Sequence, residues 1–335
     1  MPRAADHASI SVVIPIFDEE RTLPELVRRL AEVLTATGLP YELLFVNDGS
    51  RDRSLDILRE LGRDDPRVKV LCLSRNFGHQ VAITAGLDHA GGDAVVIMDG
   101  DLQDPPEVIP RLLEKWRAGF DVVYAVRTAR AGETRFKRAT AKLFYRFFAR
   151  LSQLDVPVDV GDFRLLSRRA ADHLRGFRET NRYVRGLSSW IGLRQVGISY
   201  TRDPRFAGDT KFDFGRMIRL GLDGVSSFSS APLQASLYVG MLVALGCGLY
   251  IAWSLYARLV LHGTVRGWTS TVVIMLALFA VQFVILGIYG EDIGGIYAEV
   301  KLRPLYIVEE QVNLDPPAGE VLVEPARETV RHRAG

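Results

Sequence analysis

From residue 10 to about residue 126, short apolar runs rich in β-branched residues alternate with stretches whose apolar positions recur at helical spacing. The runs ISVVIPIF, YELLFVN, VKVLCLS, DAVVIMD and DVVYAV predict strands. Between them, TLPELVRRLAEVL, SLDILRELG, HQVAITAGLDHA and PPEVIPRLLEKW predict helices. Strands this apolar on both faces, with helices between them, predict an α/β domain with a mostly parallel, Rossmann-like sheet covered on both sides. Such sheets bind ligands at the carboxyl ends of their strands. The polar clusters fall there: PIFDEE after the first strand, NDGS after the second, SRNFGHQ after the third and DGDLQD after the fourth. Each alone is ordinary turn and cap chemistry. Four in succession point to one polar ligand at the edge of the sheet.

The pattern changes downstream. Residues 231–257 and 267–290 carry no charge, and each run exceeds the ~20 residues needed to cross a bilayer. They predict two transmembrane helices joined as a hairpin. Lys211, Arg216 and Arg219 before it and Lys301 and Arg303 after it outnumber Arg258 and Arg266 in the loop, which places both ends inside. The segment MPRAADHAS lacks the apolar core of a signal peptide, so the N-terminal domain is expected in the cytoplasm. RFKRATAKLFYRFFARLSQL (135–154) reads as a basic amphipathic helix for the membrane surface or as a charged face packed on the domain. DFGRMIRLGLDGVSSF leads into the first span as an interfacial helix. RPLYIVEE returns to strand-like alternation, and the tail after about residue 312 looks loosely ordered. The expected organisation is a cytoplasmic catalytic domain (1–211), an interfacial helix (212–230), a two-span hairpin (231–290) and a C-terminal segment (291–335). It predicts a multi-pass protein of the inner (plasma) membrane in contact with membrane lipids.

Composition narrows the function. A formal charge of +2 over 335 residues gives no general support for nucleic acid binding. Cys72 and Cys247 have neither the number nor the spacing of a disulfide framework or zinc site. No G-x-G-x-x-G follows the first strand, and no P-loop or G-x-S-x-G elbow occurs, which disfavours a dehydrogenase, an NTPase and a serine hydrolase. The stretch DGDLQDPPE places four carboxylates and two prolines in nine residues. Asp99 and Asp101, separated by Gly100, can aim two carboxylates at one point, and Gln103 adds a neutral oxygen. Hard oxygen ligands of this kind suit Mg2+ or Mn2+. Asp104 is placed to cap a helix begun by Pro105 or Pro106, with Glu107 near its positive end.

The combination of PIFDEE, VNDGS, DGDLQDPPE, VGDFRLLSR, RYVRGL and RFAGDTKF resembles the polyprenyl-phosphate glycosyltransferases of glycosyltransferase family 2, relatives of dolichol-phosphate mannosyltransferase and of bacterial undecaprenyl-phosphate glucosyltransferases. The resemblance spans about residues 10–305. It implies an A-type glycosyltransferase domain that moves one sugar, with inversion, from a nucleotide sugar to a polyprenyl phosphate. UDP-glucose is the favoured donor; a GDP-mannose-dependent mannosyltransferase and a non-catalytic nucleotide-sugar-binding scaffold are the alternatives. By resemblance, Pro15, Phe17, Glu19, Val46 and Asp48 hold the nucleoside, Asp99, Asp101 and Gln103 gather metal and diphosphate, and Arg127 reaches phosphate. Arg205 and Lys211 bind phosphate at the membrane side. Asp162 is expected to orient the acceptor or act as a base, or else to cap or pair with Arg164. A homo-oligomer, with a tetramer favoured, is also implied, and RPLYIVEE is expected to add an edge strand to its own domain or, as the resemblance favours, to that of a neighbouring subunit. Phe17 replaces a Tyr common in relatives, and Asp209 and Thr210 depart from the small residue and Ser expected before the Lys.

Overall fold

The computed structural model describes residues 8–127, 160–180, 182–202 and 267–314, with scattered residues between 239 and 260. The chain forms two compact units. The first contains the described residues up to 202 and from 304 onward, and the second those between 239 and 303.

The first unit is built on an eight-stranded sheet. Its strands are β1 (Ile10–Ile16), β2 (Tyr41–Asn47), β3 (Val68–Leu73), β4 (Ala94–Ile97), β5 (Val122–Arg127), β6 (Val160–Ser167), β7 (Gln195–Tyr200) and β8 (Val308–Val312), in the order β7-β5-β6-β4-β1-β2-β3-β8. Strands β1 to β4 are mutually parallel, and β5 and β7 run in the same direction. β6 and β8 are antiparallel to their neighbours. The helices are α1 (Leu23–Ala36), α2 (Ser54–Asp64), α3 (His79–His89), α4 (Ile109–Arg117), α5 (Arg168–Gly176) and α6 (Val184–Trp190).

Leu23, Leu26, Leu30 and Leu34 of α1, Leu58 of α2 and Leu112 and Trp116 of α4 pack with Val12, Ile14 and Phe45 on one face of the sheet. Ala82 and Ala85 of α3 cover Val46, Leu71 and Leu73 on the other. Burial from both sides is why these strands read as continuous apolar runs. Every strand and helix expected between residues 10 and 126 is present; β6 and β7 were not foreseen.

Pro15 is compatible with a central strand because of where the ladder ends. Val13 is the last residue of β1 paired to β4, opposite Ile97. The carbonyl of Val13 accepts from Met98 N–H, so Pro15, two residues on, presents its missing donor to the side where β4 has stopped. The sheet therefore opens between the carboxyl ends of β1 and β4, the point at which the order of connection reverses.

β8 pairs with β3 of its own chain, the other of the two expected placements from the one the resemblance favours. Arg59 of α2 grips Glu310 through two hydrogen bonds, and Asn313 donates to the carbonyls of Gly62 at 2.5 Å and Val68 at 2.9 Å. These local partners fix the strand in cis.

In the second unit, α7 (Trp268–Val300) is one continuous helix of 33 residues. Its stretch Ala277–Val300 is, among the described residues, the one helix long and apolar enough to cross a membrane. The expected end at residue 290 is exceeded by ten residues, because the polar GEDIGG segment does not interrupt backbone hydrogen bonding. The helix stops where Leu302 turns to φ 48 ahead of Pro304. Much of 231–257 and all of the two expected interfacial helices lie outside the described residues, as do Arg205 and Lys211. The described residues between 239 and 256 are helical.

At the amino end of the sheet, Glu42 ties four elements together. It accepts from Ser11 Oγ, from Gly91 N–H at 2.7 Å and from Lys69 Nζ at 2.6 Å. Burial alone would raise its pKa, but Lys69, Ser11 and Gly91 together hold it below the ordinary value. A depressed folded pKa contributes stability above the unfolded pKa, which disappears as pH falls through the folded one. Glu42→Gln should therefore cost about 1.5–3 kcal/mol at pH 7. In denaturant titrations the difference from wild type should shrink progressively below pH ~4.

Candidate active site

The direction of β6 creates the site. Because β6 is antiparallel to β4, its first residues, not its last, reach the carboxyl edge of the parallel strands. Ile97 pairs with Arg164, and continuing that register by two residues brings Asp99 opposite Asp162. His79, the first residue of α3, completes the group: its Nε2 is 3.2 Å from Asp162 Oδ2 and 3.4 Å from Asp99 Oδ1. One ligand atom from each of His79, Asp99 and Asp162 lies within 4.8 Å of the others, a donor set able to hold a metal ion.

The two carboxylates are in opposite electrostatic states. Asp162 is 3% exposed, and burial alone would raise its pKa. Arg185 grips both of its oxygens at 2.9 and 3.1 Å, and with His79 holds it well below the carboxylate range. Gln80 Nε2 donates to the same carboxylate at 3.3 Å, while its Oε1 accepts from Val184 N–H at the start of α6. Asp99 has no such arginine among the described residues; only His79 approaches it, at 3.4 Å. Burial, opposed by His79 and reinforced by Asp162, Asp104 and Asp101, pushes it up to about 6. Its buried Oδ1 makes no hydrogen bond. A carboxylate destabilised by its own neighbours, with an oxygen that makes no hydrogen bond, is what a divalent cation would relieve, so the residues fit one. For His79, burial lowers the pKa, but the two carboxylates outweigh it and lift the imidazole to about 9.

The first two strand-end loops are stitched to each other. Asp18 N–H donates to Ser50 Oγ and Asp18 Oδ1 accepts from Arg51 N–H. Glu19 N–H donates to Ser54 Oγ, Glu20 N–H donates to Asp52 Oδ2, and Glu20 Oε2 accepts from Arg53 N–H. Asp48 accepts from Phe77 and Gly78 N–H at 2.7 and 2.9 Å, fixing the turn that leads into His79. Gly49 permits this approach: its φ is +68°, and a Cβ there would lie 2.6 Å from the backbone nitrogen of Asn76. On the exposed side of that turn the Arg75 guanidinium stacks 4.0 Å from the Phe77 ring.

A second polar group stands beside the first. Asp104 is fully buried and accepts a short hydrogen bond from Tyr200 Oη, with Arg202 Nε 3.5 Å away. It does not cap the following helix, a 3-10 turn at Pro106–Val108 that continues into α4 without a side-chain cap. Glu107 forms a two-bond ion pair with Arg29 of α1. The turn itself is strained, because Leu102, buried in the core, takes φ 57. Gly100 has ordinary φ and serves instead by close packing, since a Cβ there would meet Ile16 Cδ1 at 2.5 Å.

Of the residues read from sequence, Asp99, Asp162 and Arg127 come to this edge with Asp101, whose Oδ1 accepts from Gln103 N–H at 3.1 Å. Phe17 and Glu19 are half-buried at the end of β1. Pro15 and Val46 are buried residues of β1 and β2, Val46 packing with Leu71 and Ala82. Asp162 pairs with Arg185, and Arg164 reaches only its backbone carbonyl. Arg182 bonds the carbonyls of Phe177 and Leu174 at the end of α5. The roles of His79, Gln80 and Tyr200 were not foreseen. The first two lie in the flagged cluster SRNFGHQ, whereas no sequence signal marked Tyr200.

Comparison with known proteins identifies the family. Residues 11–175 match the family described as "Glycosyl transferase family 2". The chain is 49% identical over 310 residues to the uncharacterized glycosyltransferase YkcC of Bacillus subtilis, covering 92% of this chain and 96% of that one. The chain belongs to glycosyl transferase family 2. This glycosyltransferase is also 42% identical over 307 residues to the SfII prophage-derived bactoprenol glucosyl transferase of Shigella flexneri, covering 92% and 99% of the two chains. It is 41% identical over 300 residues to the prophage bactoprenol glucosyl transferase homolog of Escherichia coli K12, covering 90% and 98%.

In the glycosyltransferase, Arg185 is the main counterion of a buried carboxylate. Arg185→Ala should lower stability by about 3 kcal/mol, as removal of one partner of a buried pair does. Adding Asp162→Asn to that variant should restore part of the loss by removing the unpaired charge, measured by denaturation midpoints. A double variant less stable than Arg185→Ala would refute this account of the pair.

Proposed function

We propose that this glycosyltransferase moves one glucose, with inversion, from UDP-glucose to undecaprenyl phosphate at the cytoplasmic face of the plasma membrane. The observation that carries the reading is identity of 41–42% to bactoprenol glucosyl transferases over 90% or more of both chains. The long apolar helix α7 is in keeping with a lipid acceptor and a membrane setting. The carboxylate-rich edge is in keeping with a donor whose diphosphate is handled by a divalent cation, Mg2+ or Mn2+, held by Asp99 with His79 or with Asp101 and Gln103.

In this reading an acceptor phosphate oxygen forms a bond to the anomeric carbon while the bond from that carbon to the diphosphate breaks, and UDP leaves with the electron pair. The bound cation supplies charge stabilisation for the leaving diphosphate. Arg127, at the end of β5, adds to it from the protein side. A lipid phosphate is largely a dianion at neutral pH, with a second pKa of about 6 for comparable esters. No strong base is then required, and Asp162 is poorly suited to be one: Arg185, His79 and Gln80 occupy its oxygens and its pKa is low. It acts as a positioning group that sets His79 and the start of α6 against Asp99.

Asp99→Asn should lower glucosyl transfer by about 10²–10³-fold, the scale for losing one stabiliser of developing charge. The assay is mass spectrometry of undecaprenyl phosphate incubated with the full-length protein, Mn2+ and a panel of nucleotide sugars. A one-hexose product from UDP-glucose that EDTA abolishes is expected. Full product from the variant would sink the metal role, and a product from GDP-mannose alone would reassign the donor.

A further inference from the structure

Tyr200 lies at the last position of β7 and pairs in register with Arg127, the last residue of β5. It is 3% exposed, and its ring meets Phe163 edge-on at 5.8 Å between centroids. Its hydroxyl donates to Asp104 Oδ1 and accepts from Arg127 Nε at 3.3 Å. Burial, then the charge of Asp104, raises the phenol above its ordinary value, so the proton remains on oxygen and the two bonds keep these directions. On the other side, Arg127 lies against bare backbone: a Cβ on Gly161 would sit 2.4 Å from Arg127 Nη2. Among the described residues the terminal nitrogens of Arg127 make no hydrogen bond, and Arg127 forms no direct ion pair with Asp104.

We infer that Tyr200, braced by Asp104, is a positioning residue that aims the guanidinium fork of Arg127 at the anionic diphosphate of the donor. An arginine side chain has many rotamers, and anchoring Nε fixes the plane while leaving the fork available for two parallel bonds to phosphate. The phenol also acts as a spacer. Direct contact with Asp104 would satisfy the fork with carboxylate, whereas contact through a neutral hydroxyl orients it and leaves its charge directed outward. Arg202 Nε, 3.5 Å from the same Asp104 oxygen, offsets its buried charge. The inference rests on the proposed reading of Arg127 as a phosphate ligand.

The test is calorimetric titration of UDP with Mn2+ into the detergent-solubilised full-length protein. Tyr200→Phe keeps the ring on Phe163 and removes only the hydroxyl. It should weaken UDP binding about tenfold, the consequence of one lost charge-assisted hydrogen bond. Arg127→Ala should weaken it at least as much, and the double variant no further than Arg127→Ala alone. If Arg127→Ala weakens binding but Tyr200→Phe does not, the positioning role is wrong and the phosphate role of Arg127 stands. If Arg127→Ala binds UDP like wild type, both fall. A Tyr200→Phe loss of equal size in the Arg127→Ala background would place its effect on the fold and overturn the inference. Should Tyr200→Phe not fold, Asp104→Asn is judged by the same criterion, weakening UDP only where Arg127 is present.

Discussion

The buried carboxylate of Asp162 is the constraint on which the carboxyl edge of the sheet depends. A charge that is 3% exposed must be neutralised by groups delivered to it, and here they come from separate elements. Arg185 arrives from α6, and His79 and Gln80 from the first turn of α3. Gln80 also holds the first turn of α6, so the two helices are registered to each other as well as to the strand. The start of α3 is set in turn by Asp48, which binds the two amides before His79, and by Gly49, which lets that turn lie against the end of β2. A residue expected to touch substrate thus holds the frame around which the substrate would sit.

That frame separates charge along one edge. Around Asp99 the carboxylates outnumber their partners, and the imbalance appears as a pKa pushed up to about 6 and an oxygen without a hydrogen bond. On the same edge, Arg127 has a fork that makes no hydrogen bond among the described residues and a hydroxyl anchoring its stem. A site deficient in positive charge next to an arginine held open is suited to a diphosphate carrying a divalent cation, since each component supplies what the other region lacks. The proline in β1 and the early end of β4 matter for the same reason: they part the strands where this charge is exposed to a ligand.

Much of this was legible from residue order. Apolar runs separated by helical spacing marked β1 to β5 and α1 to α4, because a sheet covered on both faces leaves an unbroken apolar signature. Clusters after the strands marked the edge where ligand chemistry belongs, and Asp99, Asp162 and Arg127 were found there. Asp104 was misjudged because aspartate before proline is a frequent helix start, and nothing local discloses a tyrosine and an arginine about a hundred residues away. RPLYIVEE had the alternation of an edge strand but no feature identifying its partner, which the Arg59–Glu310 pair decides.

The sequence by itself therefore determined the layered α/β architecture, the edge at which chemistry is concentrated and the apolar helix that follows, since periodicity and strand-end polarity are local properties of the chain. Tertiary structure alone decided that β6 runs against its neighbours. That single direction brings the beginning of VGDFRLLSR to Asp99 and puts β5 between β6 and β7, so that Arg127 meets Tyr200. Strand direction and order follow from how distant segments pair, and no local pattern encodes the choice.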